Sequence, residues 1–99
     1  MFSGDAMIRK ETLTTELKKI LVYDEKRTVI VIQNLSTSLN VYITDRPKDD
    51  VDTAYITLYP GESLILLKAF GDPTEIAYYA KSDGSTPITI MEGFEKGGE

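Results

Sequence analysis

The sequence predicts an all-β protein: an antiparallel β-sandwich of the jelly-roll type with about eight short strands and an extended N-terminal arm. After residue 27 the chain is a succession of short runs rich in Val, Ile, Leu, Tyr and Thr. Turn residues interrupt these runs at regular intervals. At 99 residues, with 41% hydrophobic and 27% charged residues, the chain fits a single folded domain with one core.

The front of the chain is compatible with strands or with a helix. Leucine and isoleucine recur at helical spacing between residues 13 and 21, among Glu and Lys residues that favour helices. The same segment is also rich in β-favouring Thr, Val and Tyr, and it runs directly into a turn and a further strand. We therefore predict strands at residues 9–14 and 17–23, with a helix over residues 10–22 as the alternative.

Turn chemistry separates the strands that follow. Pro60-Gly61 predicts a type II turn, in which glycine supplies the positive φ. Asp83-Gly84 predicts a hairpin that joins the last two strands through left-handed residues. Pro87 has no N–H and therefore belongs at a strand start or on an edge. The six predicted strands are residues 28–34, 40–44, 54–58, 63–68, 75–81 and 86–92.

These elements divide the chain into an arm at residues 1–18, a sandwich at residues 19–93 and a flexible tail at residues 94–99. Alternation along the strands predicts which side chains share the core face. The predicted core residues are Val41, Ile43, Ile76, Tyr78, Ala80, Ile88 and Ile90, with Tyr42 pointing outward.

Three runs carry apolar residues on both faces of the strand: ILVY at residues 20–23, VIVI at 29–32 and LILL at 64–67. Each large apolar side chain left in water forgoes roughly 1.5–3 kcal/mol, so bare outer faces would form an unusually large patch. Either the N-terminal segment folds across the sheet or a second copy covers it, and we favour the second copy. The candidate partner-binding residues are Ile8, Arg9, Lys10, Leu13, Val29, Val31, Ile65 and Leu67.

Charge and hydropathy limit the classes of partner. The net charge of −5 argues against a protein that coats nucleic acid. Residues 1–27 hold six basic and five acidic side chains, whereas residues 28–99 hold five and eleven. The front segment could dock on an acidic neighbour or be an ordinary solvated face. No apolar run approaches the roughly 18 residues that span a bilayer, and the first ten residues do not resemble a signal peptide, so we expect no membrane partner.

The residues needed for most enzyme chemistry are missing. The chain has no His and no Cys, which excludes a Ser-His-Asp triad, a cysteine nucleophile and imidazole or thiolate metal ligands. It also lacks the glycine-rich phosphate motifs and GxSxG. We expect no enzyme, no cofactor and no metal. Asp45, Asp49, Asp50 and Asp52 could offer oxygens to Ca²⁺, but their spacing does not match an EF-hand and a solvated loop is the simpler interpretation.

Three stretches of the chain resemble a class of small tailed-phage and prophage virion proteins. They are KILVYDEKRTVIVIQNLSTSLNVYI, YITLYPGESLILL and EIAYYAKSDGSTPITIMEG, and the resemblance covers about residues 19–93. The matching positions are Arg27, Gln33, Asn34, Asn40, Val41, Tyr42, Pro60, Gly61, Glu62, Ser63, Gly84 and Glu92. The resemblance implies a β-sandwich head-decoration or head–tail accessory protein that works as an oligomer, with an initial hairpin led by Arg27. The acidic loop at residues 45–52 and the Lys/Glu-rich front segment depart from this pattern.

We therefore expect a non-enzymatic capsid decoration protein, assembled in the host cytoplasm and located on the virion. Its expected partners are further copies of itself, as a trimer, and the major capsid protein, with no nucleic acid. If the arm at residues 1–18 reaches the capsid, deleting residues 1–12 should abolish attachment and leave the fold intact. The alternative is a carbohydrate-binding module or the receptor-binding tip of a phage tail or fibre, since six tyrosines could offer rings to a sugar.

Overall fold

Eight strands pack as two four-stranded antiparallel sheets in the computed structural model, which describes residues 5–68 and 72–95. The strands are β1 (Asp5–Leu13), β2 (Lys18–Leu21), β3 (Arg27–Asn34), β4 (Val41–Thr44), β5 (Ile56–Leu58), β6 (Ser63–Leu67), β7 (Tyr78–Ser82) and β8 (Thr86–Phe94). A short 3₁₀ helix at Asp72–Thr74 precedes β7. The predicted all-β sandwich is confirmed, and the front of the chain forms strands instead of the alternative helix.

The strand order is that of a jelly roll. Sheet A has the order β1-β8-β3-β6 and sheet B has the order β2-β7-β4-β5. Consecutive strands therefore change sheet at every step except from β4 to β5, and the apolar face of each sheet packs against the other. No helix in the described ranges is long and apolar enough to cross a membrane.

The turn at Asp83-Gly84 lies where the sequence predicts it, but the hairpin prediction is wrong. β7 pairs within sheet B and β8 pairs within sheet A, so the turn carries the chain between sheets. Neither residue has positive φ. The Asp83 carboxylate instead accepts a hydrogen bond from the Tyr42 hydroxyl at 2.9 Å and one from the Asn40 N–H at 3.3 Å. The initial hairpin led by Arg27, which the phage resemblance implies, is also wrong, because β3 and β4 lie in different sheets.

The type II turn at Pro60-Gly61 is confirmed. Gly61 has φ of 83°, and the Glu62 N–H donates to the Tyr59 carbonyl oxygen at 3.0 Å. This turn links β5 of sheet B to β6 of sheet A. A positive φ is expensive for a residue with a Cβ atom, so the turn depends on the glycine.

We expect Gly61→Ala to lower the free energy of unfolding by about 1–2 kcal/mol, because alanine in the left-handed region is strained even where space is open. Urea denaturation followed by circular dichroism measures this loss. The matched control is Gly84→Ala, whose methyl group would meet only the flexible Leu39 Cδ1 atom at 3.3 Å and whose φ is not positive. Equal losses in the two variants would contradict a specific role for the Gly61 conformation.

Half of the predicted N-terminal arm, residues 5–13, is an edge strand of the sandwich. Residues of β1 pair antiparallel with β8 along the whole strand, from Asp5 opposite Phe94 to Leu13 opposite Thr86. The sandwich therefore begins before residue 19. At the other end, Phe94 belongs to β8, and the Glu95 N–H donates to the Lys26 carbonyl oxygen at 2.8 Å. The rest of the predicted tail, residues 96–99, lies outside the described residues, as do residues 1–4 of the arm.

The core contains the side chains that alternation predicts. Among them, Tyr78 is 7% exposed, and Ile76, which precedes β7, is partly buried against the cluster. The buried hydrophobic residues are Leu13, Ile20, Leu21, Ile30, Ile32, Val41, Ile43, Leu58, Tyr78, Ala80, Ile88 and Ile90. Pro87 is the second residue of β8, which confirms its place at a strand start.

The ILVY run is not a two-sided strand. The pairing of β2 with β7 shifts register between Lys19 and Leu21, so Ile20 and Leu21 are both buried. Val22 and Tyr23 lie beyond the end of β2 and are exposed. The other two runs, in β3 and β6, do place apolar side chains on both faces of sheet A.

Candidate functional site

The outer face of sheet A carries a continuous apolar surface. Its strand register aligns Ile8, Met91, Val31 and Ile65 in one row across β1, β8, β3 and β6. We call this row the apolar stripe. The next row contains Ala6, Gly93, Val29 and Leu67. Ile8 is 70% exposed and Ile65 is 55% exposed, whereas Val31 in the middle of the sheet is half-buried by its neighbours.

Charge is nearly absent from this face. Fourteen positions of the four strands point outward, and Lys10 is the only charged residue among them. The remaining positions beyond the two apolar rows are Thr12, Gln33, Ser63, Pro87 and Thr89. Charged residues make up 27% of the whole chain, so this sheet face carries far fewer charges than the chain average. Such a face is typical of a surface that is buried in an assembly.

The structure brings six of the eight predicted partner-binding residues together on this face. They are Ile8, Lys10, Val29, Val31, Ile65 and Leu67. Their role in partner binding stays a prediction. Residues 5–13 do not fold across the face, because they lie in the plane of sheet A as β1.

The remaining two residues, Arg9 and Leu13, require correction. Along β1 the odd-numbered residues point into the sandwich, so a partner on the outer face cannot reach them. Leu13 is fully buried in the core. The Arg9 guanidinium donates to Glu92 and to the Ile20 carbonyl oxygen. Sequence alternation alone did not fix which face of β1 would point inward, because Met7, Ile8 and Leu13 do not share one parity.

A buried ion network lies beneath the opposite side of sheet A. Glu92 is 6% exposed, and its two carboxylate oxygens accept hydrogen bonds from Arg27 Nη1 at 2.9 Å and from Arg9 Nη1 at 2.6 Å. Arg27 is fully buried and also donates to the carbonyl oxygens of Val22, Thr74 and Ile76, each at 2.8 Å. Arg27 thus ties the β2–β3 connection and the segment before β7 to sheet A.

The network extends toward the surface through Glu11. Its carboxylate accepts hydrogen bonds from Lys18 Nζ at 2.7 Å and from Arg9 Nε at 3.3 Å. The Lys18 hydrogen bond holds the pKa of Glu11 below its usual value, against the opposing effect of burial, and Arg9 adds to the lowering. Of this network, the candidate residues from sequence included only Arg9, and as a partner-binding residue. Arg27 and Glu92 were nevertheless among the positions that carry the phage resemblance, which was the available signal.

Asn34 holds the loops at one end of the sandwich. It is fully buried at the end of β3, and its Nδ2 donates to the carbonyl oxygens of Leu39 at 2.8 Å and Leu58 at 3.0 Å. Its Oδ1 accepts a hydrogen bond from the Ser36 N–H at 2.9 Å. Asn34 therefore has a structural role, and it also belongs to the resemblance.

The outer face of sheet B is polar and aromatic instead. Tyr42 and Tyr55 meet edge to face, with ring centroids 6.2 Å apart. Lys81 lies over the Tyr55 ring, with Nζ 4.9 Å from the centroid, and forms an ion pair of 2.9 Å with Asp49. An open hollow of about 430 Å³ lies beside these rings. It is lined by Thr15, Tyr42, Tyr55, Lys81, Ser82 and Asp83.

In the acidic loop, Asp49 and Asp50 use their carboxylates for hydrogen bonds within the protein. Asp49 accepts hydrogen bonds from the Tyr55 hydroxyl and from Lys81, which together lower the pKa of its carboxyl, the Tyr55 bond most strongly. Asp50 accepts a hydrogen bond from the Asp52 N–H at 3.0 Å. Within residues 5–68 and 72–95, no three His, Cys, Asp or Glu side chains are grouped to hold a metal ion.

Known proteins provide a comparison at the level of the fold. No family model and no curated protein matches the chain. A solved structure of Bacillus endospore appendages, described as a novel family of disulfide-linked pili, is similar to this chain with a TM-score of 0.53 and 10% sequence identity. The match covers 93% of this chain and 86% of that chain. At this identity the likeness shows a shared jelly-roll fold, and the resemblance to phage virion proteins stays a prediction.

Proposed function

We propose that this protein is a non-enzymatic structural subunit that associates with further copies of itself through the outer face of sheet A. The observation that carries the proposal is the apolar stripe with its neighbouring row, on a face whose fourteen outward positions include one charge. When a second apolar surface covers exposed side chains such as Ile8 and Ile65, the assembly is stabilised by about 25 cal/mol per Å² of apolar area removed from water. Acidic side chains lie elsewhere on the body, so like-charge repulsion does not oppose the contact.

The comparison with appendage subunits supports the same class of function. Pili are assemblies of repeated subunits, and this chain shares their fold. The disulfide linkage in the description of those pili does not transfer, because the 99 residues contain no cysteine. Contacts between copies of these residues therefore contain no disulfide bond.

For the biological setting, we propose a capsid decoration protein that binds the major capsid protein on a virion. The resemblance to phage virion proteins supports this setting, and three of its positions, Arg27, Asn34 and Glu92, hold the loops and sheets of this fold together. The sequence alone predicts three copies. Sedimentation of the protein with purified capsids would test this setting separately from self-association.

Self-association is tested by Val31→Glu. A glutamate in the middle of the apolar stripe would bring a charge into the contact, so we expect the mass from light scattering to fall from that of an oligomer to a smaller species. The matched control is Thr57→Glu, which adds the same charge on the outer face of sheet B, opposite Tyr42. The control should keep the wild-type mass. A wild-type protein that stays at 11.1 kDa across a wide range of dilution would overturn the proposal.

A second candidate function is sugar binding by the hollow on sheet B. The observation that favours it is the grouping of Tyr42 and Tyr55 rings with the hydrogen-bonding groups of Lys81 and Asp83 in one open hollow. Binding on a glycan array that Tyr42→Ala abolishes would support this candidate. The two functions use opposite faces of the sandwich and can therefore be separated by these variants.

A further inference from the structure

The four edge strands of the two sheets differ in how well they are protected against pairing with another chain. β1 turns Arg9 and Glu11 inward, and inward-pointing charges on an edge strand oppose the addition of a further strand. β2 has four residues, two of which are lysines, and a register shift. β5 has only three residues. The fourth edge strand, β6, has five residues with no charge, no proline and no shift in its pairing with β3.

The backbone of β6 has hydrogen-bonding groups free for a partner strand. At the start of the β3–β6 ladder, the Asn34 N–H donates to the Glu62 carbonyl oxygen at 3.0 Å. Because bonded positions alternate in an antiparallel pair, Leu64 and Leu66 are bonded to β3. Ser63, Ile65 and Leu67 therefore direct their N–H and C=O groups away from β3, toward the open edge of sheet A.

The sequence around β6 is complementary to itself in the antiparallel direction. If Ile65 lies opposite Ile65 of a second copy, Ser63 lies opposite Leu67 and Leu64 lies opposite Leu66. In the same register Glu62 lies opposite Lys68 of the second copy, and opposite charges across a strand pair are favourable. Both side chains are exposed, and the two residues lie directly before and directly after β6 in the chain.

The packing at this edge is also incomplete in a single copy. Leu64 and Leu66 point inward against the core, yet both are only half-buried. A second β6 in this register would place its own Leu66 and Leu64 beside them. On the outer face, the apolar stripe would continue from Ile65 of one copy to Ile65 of the next.

We propose that β6 pairs antiparallel with β6 of a second copy around a two-fold axis at Ile65, which joins two copies of sheet A into one eight-stranded sheet. The proposal rests on the proposed self-association and specifies one of its contacts. The occupant of the edge is a second copy, because the register that pairs like residues also pairs Glu62 with Lys68. An assembly in which every β6 is paired contains an even number of copies, in place of the trimer that the sequence predicts.

Single cysteines test the register directly, since the chain has none of its own. In the proposed pair the two Ile65 Cα atoms are about 5.5 Å apart. We expect Ile65→Cys to yield a covalent dimer with a short bismaleimide. The control is Ser63→Cys, because the two Ser63 residues are offset by four positions, or about 13 Å along the strand. Equal cross-linking of both variants, or none at Ile65→Cys, would overturn the register.

Proline tests the edge separately from the apolar face. Ile65→Pro removes an N–H that points to the open edge and leaves the bonds of Leu64 and Leu66 to β3 in place. We expect Ile65→Pro to lower the mass from light scattering, and Ile65→Ala, which keeps the N–H, to lower it less. Circular dichroism confirms that both variants fold.

The outcomes distinguish the two proposals. If Val31→Glu lowers the mass but Ile65→Pro behaves as Ile65→Ala, self-association through the face stands and the edge pairing is wrong. If Ile65→Pro lowers the mass and Val31→Glu does not, the edge pairs and the face is not the contact. A wild-type assembly with an odd number of copies would also contradict the edge pairing.

Discussion

Deletion of residues 1–12 is expected to destabilise the folded protein by more than the roughly 2–5 kcal/mol that a single large core truncation costs. The deletion removes nearly all of β1, which pairs with β8 along its whole length. It also removes Arg9, which neutralises the buried Glu92 and bonds to the Ile20 carbonyl oxygen. The inner-facing Ile88 and Ile90 of β8 would then lie beside an open edge.

Urea denaturation of the truncated and full-length proteins measures this effect. The control is Lys10→Ala, an outward-facing substitution on the same strand, which should change the free energy of unfolding by about 0.5 kcal/mol or less. The sequence predicted that the deletion would spare the fold. If the truncated protein has the same urea denaturation midpoint as the full-length chain, the deletion spares the fold and β1 contributes little to its stability.

Glu92→Ala is expected to lower the free energy of unfolding by about 3–5 kcal/mol, because it leaves a fully buried guanidinium without a counter-ion. This guanidinium belongs to Arg27, and Glu92 is its carboxylate partner, at 2.9 Å. Its three remaining hydrogen bonds go to carbonyl oxygens, which do not neutralise it.

The control for this variant is Glu95→Ala, which removes the same chemical group from an exposed ion pair with Lys68 and should cost about 1 kcal/mol or less. Glu92→Gln should fall between the two, because its amide oxygen can still accept one hydrogen bond. Similar losses for Glu92→Ala and Glu95→Ala would show that the buried ion network contributes little to stability.

Much of the fold could be predicted because strand alternation and turn residues are local signals. The inward residues Ile88, Ile90, Val41 and Ile43 follow directly from the period of two. Pairing partners are not local signals. Asp83-Gly84 marks a reversal of the chain equally well whether the next strand joins the same sheet or the other one, and for this reason the hairpin prediction was wrong.

The candidate site was predictable where both faces of a strand are apolar. Val29, Val31, Ile65 and Leu67 stand out as outward residues once Ile30 and Ile32 are placed in the core. On β1 the signal is mixed, since the inward face carries Arg9 and Glu11 beside Leu13. A charged residue on the core-facing side of a strand can be predicted only if its ion-pair partner is known. The partner of Arg9 is Glu92, which lies more than eighty positions away in the chain.

The strand order has a consequence for biosynthesis. β7 and β8 are the last two strands of the described chain, and each has a neighbouring strand on both sides. β8 pairs with β1, and β7 pairs with β2. A nascent chain that has not yet emerged past residue 78 has neither of these central strands and cannot form either sheet in its native order. The β3–β6 and β4–β5 pairs can form before then, but β1 and β2 have no partner until β8 and β7 emerge. Completion of both sheets therefore requires nearly the whole domain, and until then the apolar residues of the earlier strands remain accessible to chaperones.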